Sequence, residues 1–299
     1  MLIVTGANGK LGRLVVEQLL ERVPAAQLGV SVRDPEKARA LRERGVRVRA
    51  GDYADPATLA HAFEGASRVL VVSSNTAGAQ ALAHHRAAID AAKAAGARRI
   101  FYTSHVGASA TSPFAPMRDH HATEGALRES GVPFTALRNG FYASSALQMF
   151  GGALAAGELA APEDGPVSWT AHDDLARATA IVMSKDGPPE SETLELTADA
   201  AFDLAQVAAM ASEVAGRPVR RVVVAEDAYR SALVGRGVPE AQAQMLVGIF
   251  GASRRGDFAR VSPTLAELIG RVPRAFREAL KTHVGKSDEG PIPESPRAT

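Results

Sequence analysis

From residue 1 to about 138, short β-branched runs alternate with longer amphipathic stretches. That rhythm predicts a parallel sheet with helices on both faces. The predicted strands are Leu2 to Thr5, Leu28 to Val32, Val46 to Arg49, Val69 to Val72, Arg99 to Thr103 and Phe134 to Leu137. Strands buried on both faces should read as continuous apolar runs, as Val69-Leu70-Val71-Val72 does. Helices are expected near 10–22, 35–44, 56–63, 78–96 and 117–130. The last two end at Gly96 and Gly131, because a left-handed residue closing a helix costs glycine least.

After Arg138 the rhythm becomes irregular. The Gly/Ala-rich stretch 151–162 reads either as a mobile loop or lid or as an ordinary alanine-rich helix. Short strands are expected near 167–169, 192–196 and 219–224, with helices at 172–184, 203–216, 226–236, 239–251, 263–270 and 274–283. This mostly helical part is too poor in strands for a second sheet domain, so a small lobe at the edge of the first is expected. The division that follows is a sheet domain over 1–142 with a returning segment near 165–200, and a lobe over 143–164 and 201–284. The polar tail 285–299, with Pro291, Pro293 and Pro296, is expected to be disordered.

Composition narrows the chemistry. The 299 residues are 46% apolar and 22% charged, which is globular in character. With no cysteine there is no disulfide framework, thiolate metal site or cysteine nucleophile. A formal charge of +1 is far from the basic excess of a general nucleic-acid or anionic-membrane binder, and Arg220-Arg221 and Arg254-Arg255 are only short basic pairs. No apolar run approaches the roughly 18 residues needed to span a bilayer. The opening Met-Leu-Ile-Val-Thr-Gly lacks a basic n-region, so a cytoplasmic location is the default expectation.

The strongest local signal is Thr5-Gly6-Ala7-Asn8-Gly9-Lys10-Leu11-Gly12, directly after the first strand and opening the first helix. Gly6 suits a tight turn, Gly9 lets backbone approach a pyrophosphate, and Gly12 permits close packing of helix on strand. The spacing is GxxGxxG and no Gly-Lys-Ser/Thr follows, which rules out a Walker A loop. The fold class expected is therefore α/β, a Rossmann-type doubly wound parallel sheet with a smaller, mostly helical C-terminal lobe.

Arg33 ends the second strand, where dinucleotide sites contact the adenosine ribose. A guanidinium matches a 2′-phosphate and offers no acceptor to a free diol, so NADP(H) is preferred over NAD(H). Asp34 would reverse that preference if it pointed inward and Arg33 outward. Asp52 after the third strand is a candidate for the adenine amino group or a solvated turn aspartate. Ser73, Ser74 and Asn75 after the fourth strand stand at the carboxyl edge, as ribose or phosphate contacts or as a polar turn. His84 and His85, in an Ala-rich helix, read as surface or sheet-packing residues.

These segments resemble the NmrA-like branch of the atypical short-chain dehydrogenases/reductases, and within it the bacterial type-2 NAD(P)H:quinone oxidoreductases. The resemblance is carried by TGANGKLG at 5–12, VRDPEKA at 32–38, GDYADPATL at 51–59, SSN at 73–75, AAKAAGARRIFYTS at 91–104, HATE at 121–124 and SGVPFTALRNGFY at 130–142. It implies an NADPH-dependent reductase that passes hydride directly to a quinone or similar aromatic or conjugated carbonyl acceptor, without flavin or metal. It further implies cofactor contact along Leu137, Arg138, Asn139, Gly140, Phe141 and Tyr142, and a homodimer paired through helices 78–96 and 117–130.

The wider superfamily uses a tyrosine and a lysine one helical turn apart. At the matching place here stand His120 and Glu124, and no Tyr-x-x-x-Lys occurs in that helix. A hydroquinone anion is comparatively stable, so a quinone acceptor tolerates the loss of a strong acid. His120 is then the candidate proton donor or oxygen-binding group, with a helix-surface histidine as the alternative. Glu124, on the same face, is expected either to orient the ring or to form a surface pair. A His120–Glu124 metal site lacks a third ligand at visible spacing. Ser104 occupies roughly the place of the superfamily's catalytic serine or is a strand-end hydroxyl capping a backbone group, Phe141 and Tyr142 are suited either to stacking on a planar ring or to buried aromatic packing, and His105 is a further pocket candidate.

Where related enzymes carry Glu-Asn after the tyrosine, this chain has Ala143-Ser144-Ser145, a departure at the acceptor end. Two other readings stay open at this point. One is a non-catalytic NADP(H) redox sensor of the NmrA type, and the other a tailoring reductase of specialised metabolism.

Overall fold

The computed structural model describes residues 1–187 and 191–287. The first half runs β1 (Leu2–Thr5), α1 (Lys10–Leu20), β2 (Leu28–Val32), α2 (Arg39–Glu43), β3 (Arg47–Ala50), α3 (Pro56–Phe63), β4 (Arg68–Val71), α4 (Gly78–Ala94), β5 (Arg99–His105), α5 (Ala115–Ser130) and β6 (Phe134–Asn139). It continues as β7 (Phe141–Tyr142), α6 (Ala143–Ala156), β8 (Glu158–Ala161), β9 (Trp169–Thr170), α7 (His172–Ser184) and β10 (Thr193–Leu196). The remainder is α8 (Leu204–Ala215), β11 (Arg220–Val223), α9 (Glu226–Gly235), α10 (Glu240–Arg254), α11 (Thr264–Ile269) and α12 (Phe276–Ser287).

Seven strands form one parallel sheet in the order β10-β6-β5-β4-β1-β2-β3. The direction of winding reverses between β1 and β4, which opens a crevice at their carboxyl ends. Side chains alternate across the sheet with a period of two. Leu2, Val4, Leu70 and Phe101 pack with α1, α7 and α11, whereas Ile3, Val69, Val71, Ile100 and Tyr102 pack with α3, α4 and α5. Burying both faces is what turns these strands into unbroken apolar runs.

The segment 151–162 is the ordered alternative. It continues α6 and then forms β8, with Gly157 taking φ 82° at the helix end. β8 pairs in parallel with β11, a small sheet the sequence reading did not expect, and β7 pairs with β9. A separate apolar cluster joins Phe150 and Leu154 of α6, Leu204 and Val207 of α8, Phe250 of α10 and Leu280 of α12 around Phe141 and Trp169. The tail expected from Gly285 begins inside α12, and 288–299 lies outside the described residues. No helix among the described residues is long and apolar enough to cross a membrane.

Candidate active site

The loop between β1 and α1 closes tightly. Gly6 takes φ 60° and its carbonyl accepts from Gly9 N–H at 2.9 Å. A Cβ on Gly12 would lie 2.3 Å from Gly6 O, so the helix can sit this close to the turn only because residue 12 is glycine. The amides of Lys10, Leu11 and Gly12 have no acceptor among the described residues, which leaves a helix N-terminus of free N–H groups. Lys10 is exposed beside a cavity of about 400 Å³ between α6, α7 and α12. Leu11 contributes only its backbone, since its side chain is in the core.

Asp34 does not point inward. Its carboxylate accepts from Glu36 N–H at 3.1 Å, capping the following turn, and lies 3.6 Å from Lys37. Arg33 is exposed with no carboxylate or carbonyl partner among the described residues, at the end of β2. Asn8 bridges to Asp34 by donating to its carbonyl at 3.0 Å, fixing the phosphate loop against the β2 end. One Asp52 oxygen accepts from Ala54 N–H at 3.0 Å in a local turn. Tyr53, which the sequence reading missed, has its hydroxyl 2.5 Å from Thr5 Oγ1 and donates to Val72 O at 2.7 Å, tying the β3 loop to the ends of β1 and β4.

The Ser73–Asn75 turn is held from beneath. Ser73 N–H donates to Thr103 Oγ1 at 2.8 Å, and Ser74 N–H donates to His85 Nε2 at 2.9 Å. An amide can only donate, so His85 carries its proton on Nδ1, which lies 2.8 Å from Thr123 Oγ1. Burial lowers His85 to about 3, making it a neutral structural link. The Asn75 side chain is exposed and makes no hydrogen bond among the described residues.

On α5 the expectation for Glu124 needs correction. Glu124 does not orient His120 and is not on the surface: it is fully buried and bonded to Arg138, with Nε donating to Oε1 at 2.9 Å and Nη2 to Oε2 at 2.6 Å. Arg138 is therefore bonded to Glu124 through both Nε and Nη2. Ser104 also donates to Glu124, at 2.7 Å, so its proton is not presented to a substrate. Burial raises the Glu124 carboxyl, but the Arg138 and Ser104 bonds outweigh it and leave the group below its usual value.

The segment after β6 divides in the same way. Leu137 is core. The room at Gly140 is occupied from the other side, since a Cβ there would lie 2.2 Å from Thr170 Oγ1. Phe141 is buried among Phe114, Trp169 and Phe258. Tyr142 packs its ring 4.2 Å from that of His172, and burial raises its phenol, so it remains protonated. Asn139 differs: it is fully buried, with the Tyr142 hydroxyl as a polar neighbour, and among the described residues neither its amide nitrogen nor its amide oxygen makes a hydrogen bond of good geometry. Leaving such groups unbonded costs about 1–3 kcal/mol each, and a carboxamide, as in a nicotinamide, is the complement of both.

His120 is half-buried, with Nδ1 2.9 Å from the Tyr102 hydroxyl. Burial lowers His120 to about 4, against a smaller opposing effect of Glu124. It is therefore neutral at pH 7. The neighbouring His121 is exposed, and among the described residues no cluster of three or more His, Asp or Glu side chains is placed to hold a metal.

A free helix N-terminus at the crevice between β1 and β4, an exposed arginine at the β2 end and a buried amide at the β6 end define a Rossmann-type nicotinamide-dinucleotide protein. The chain belongs to the NmrA-like family, whose profile matches residues 1–276. It is 38% identical over 281 residues to quinone oxidoreductase 2 of Escherichia coli, covering 94% of this chain and 97% of that one. It is 33% identical to an NAD(P)H azoreductase of Xenophilus azovorans, covering 95% and 98%. The crystal structure of the Escherichia coli NADPH-dependent quinone oxidoreductase complexed with NADPH superposes with a TM-score of 0.88 at 36% identity, covering 94% and 99%.

Proposed function

We propose that this protein is an NADPH-dependent oxidoreductase that passes hydride directly to a quinone or similarly flat, conjugated acceptor, with neither flavin nor metal. The observation that carries the reading is the buried Asn139 amide, which has the Tyr142 hydroxyl as a neighbour but no hydrogen bond of good geometry among the described residues, at the sheet edge that also presents the phosphate loop. Relatives named as a quinone oxidoreductase and an azoreductase support the same class of acceptor.

When bound, NADPH supplies the hydride. The chain's own residues hold and orient. The free amides of Lys10, Leu11 and Gly12 and the Lys10 ammonium take the pyrophosphate. Arg33 takes the 2′-phosphate as a planar two-pronged donor, with the Asp34 carboxylate kept away by its capping bond. Asn139 fixes the carboxamide, and Phe114, Phe141 and Phe258 keep water from the reacting face. His120, being neutral, offers hydrogen bonding to the acceptor oxygen and is not a store of acidic protons.

The test is NADPH oxidation in the presence of a panel of quinones, azo dyes and enones. Stimulation by members of the panel is expected. Absence of any stimulation, together with tight NADPH binding and retention of a protein partner, would replace this reading with the redox-sensor one.

A further inference from the structure

The amino edge of the seven-stranded sheet, opposite the phosphate loop, carries a group of arginines that the reductase reading does not use. Arg68 and Arg99 are register partners at the starts of β4 and β5, so their side chains leave the sheet side by side. They share the face on which Leu70 and Phe101 pack with α7. Together with Arg98 they line a cavity of about 290 Å³ whose apolar walls are Phe101, Pro133 and Val182. The seven residues of β5 put this cavity roughly 20 Å from the crevice at the carboxyl edge.

Each of the two inner guanidiniums is anchored through one nitrogen. Arg68 Nη1 donates to Met183 O at 2.5 Å and to Lys185 O at 2.8 Å, which closes the carboxyl end of α7. Arg99 Nη1 donates to Phe134 O and Thr135 Oγ1, each at 2.9 Å, tying β5 to β6. These acceptors are neutral, and they leave Nε and Nη2 of both arginines without a partner among the described residues. That unused edge is the one with which Arg138 grips the Glu124 carboxylate. The Arg98 side chain is exposed and makes no hydrogen bond among the described residues.

Like charges set opposite one another on paired strands oppose the pairing, and among the described residues no carboxylate pairs with Arg68, Arg98 or Arg99. Burial lowers the Arg99 pKa and the Arg68 charge lowers it further. Arg128 is the contrast: it lines the adjoining cavity with Arg99 and Pro133, but Glu192 at 3.4 Å and Glu124 at 3.9 Å already match its charge. We propose that the cavity bounded by Arg68, Arg98 and Arg99 binds the phosphate group of a phosphorylated small molecule, whose apolar body rests on Phe101, Pro133 and Val182. A phosphate monoester brings three acceptor oxygens and close to two negative charges at neutral pH. It can therefore engage more than one guanidinium fork at once, whereas the two oxygens of a carboxylate are used up by one. This site is separate from the nucleotide crevice and does not depend on the identity of the electron acceptor.

Calorimetric titration of the full chain with phenyl phosphate, with and without saturating NADP⁺, tests this. One site per chain is expected in both conditions, with phenyl phosphate binding more tightly than inorganic phosphate. Arg98→Glu places a carboxylate beside Arg68 and Arg99 and should weaken phenyl phosphate at least about tenfold. Arg236→Glu, the same charge change at the end of α9, should leave it nearly unchanged. Since the Arg98 side chain supports no other group among the described residues, its variant should keep the fold, which an unaltered NADP⁺ affinity reports. A second measurement needs no variant: phenyl phosphate should slow the modification of Arg98 and Arg99 by phenylglyoxal, read by peptide mass, and not that of Arg236. The proposal is overturned by an absence of saturable binding, by affinity no better than that of inorganic phosphate, by displacement of the probe with NADP⁺, by undiminished binding in Arg98→Glu, or by unprotected Arg98 and Arg99.

Discussion

The carboxylate of Glu124 and the guanidinium of Arg138 are joined by two hydrogen bonds, of 2.9 and 2.6 Å, with the Glu124 side chain 1% exposed. The pair locks α5 to β6 one helical turn from His120, where the wider superfamily's tyrosine–lysine pattern would place its lysine. Removing one partner leaves the other charge partly buried and unpaired, which costs about 3 kcal/mol. Glu124→Ala should therefore lower the urea unfolding midpoint markedly. An unchanged midpoint would show that the pair contributes nothing net.

The approach of Gly12 to Gly6 makes Gly12→Ala a sharp probe of the phosphate loop. The added methyl would meet backbone at 2.3 Å, so the loop must shift. NADPH affinity should fall by at least about tenfold, or about 1.4 kcal/mol. Fluorescence of the chain's one tryptophan, Trp169, which packs against Phe141 and Phe276, offers a direct titration signal. Unchanged affinity would mean that nucleotide does not lie on these amides.

Cofactor preference turns on a single side chain. Arg33→Ala removes charge-assisted bonds to the 2′-phosphate, worth about 1.5–3 kcal/mol. The dissociation constant for NADPH should rise by about 10- to 100-fold, while that for NADH stays nearly constant. Equal losses for both nucleotides would contradict the assignment.

The sheet was legible because parallel strands buried on both faces leave continuous apolar runs, and β1 and β2 match their predicted limits to the residue. The phosphate loop was legible because its glycines are dictated by local backbone geometry. The pairing of Glu124 with Arg138 was not. Those residues are 14 apart on different elements, and only the β5–β6 register with α5 above it brings them together. Tyr102 was hidden for a related reason: inside a strand, an aromatic residue reads as core, and its hydroxyl gains meaning only from what α5 places beside it. The stretch 151–162 was ambiguous because alanine and glycine fit helix and loop alike, and packing of α6 on α12 and β8 decided it.

Acid should weaken the fold before it titrates any carboxylate. His85 is held down to about 3, and His120 and His172 to about 4, each chiefly by burial. An unfolded histidine protonates near pH 6.5, so between that pH and about 4 the unfolded chain binds more protons than the folded one. Stability then falls as pH falls, by about 1.4 kcal/mol per pH unit for each such histidine. The depressed Glu124 carboxyl acts in the same direction lower down, its contribution being present above the usual carboxylate value and lost beneath it. Urea midpoints measured from pH 7.5 to 4.5 should drop steeply below 6.5, and a flat profile would show that these rings are not held neutral. Quinone turnover at saturating NADPH should show no titration near 6.5, because His120 is already neutral there.

The central claim is direct hydride delivery from NADPH to a conjugated acceptor, and a single-turnover experiment tests it most directly. The protein, loaded with one equivalent of NADPH under anaerobic conditions, is mixed with excess simple quinone and the nicotinamide absorbance is followed. Stoichiometric bleaching matched by one equivalent of hydroquinone, much faster than in a protein-free control, is the predicted result. Persistence of the bound NADPH at the rate of the control would contradict the account.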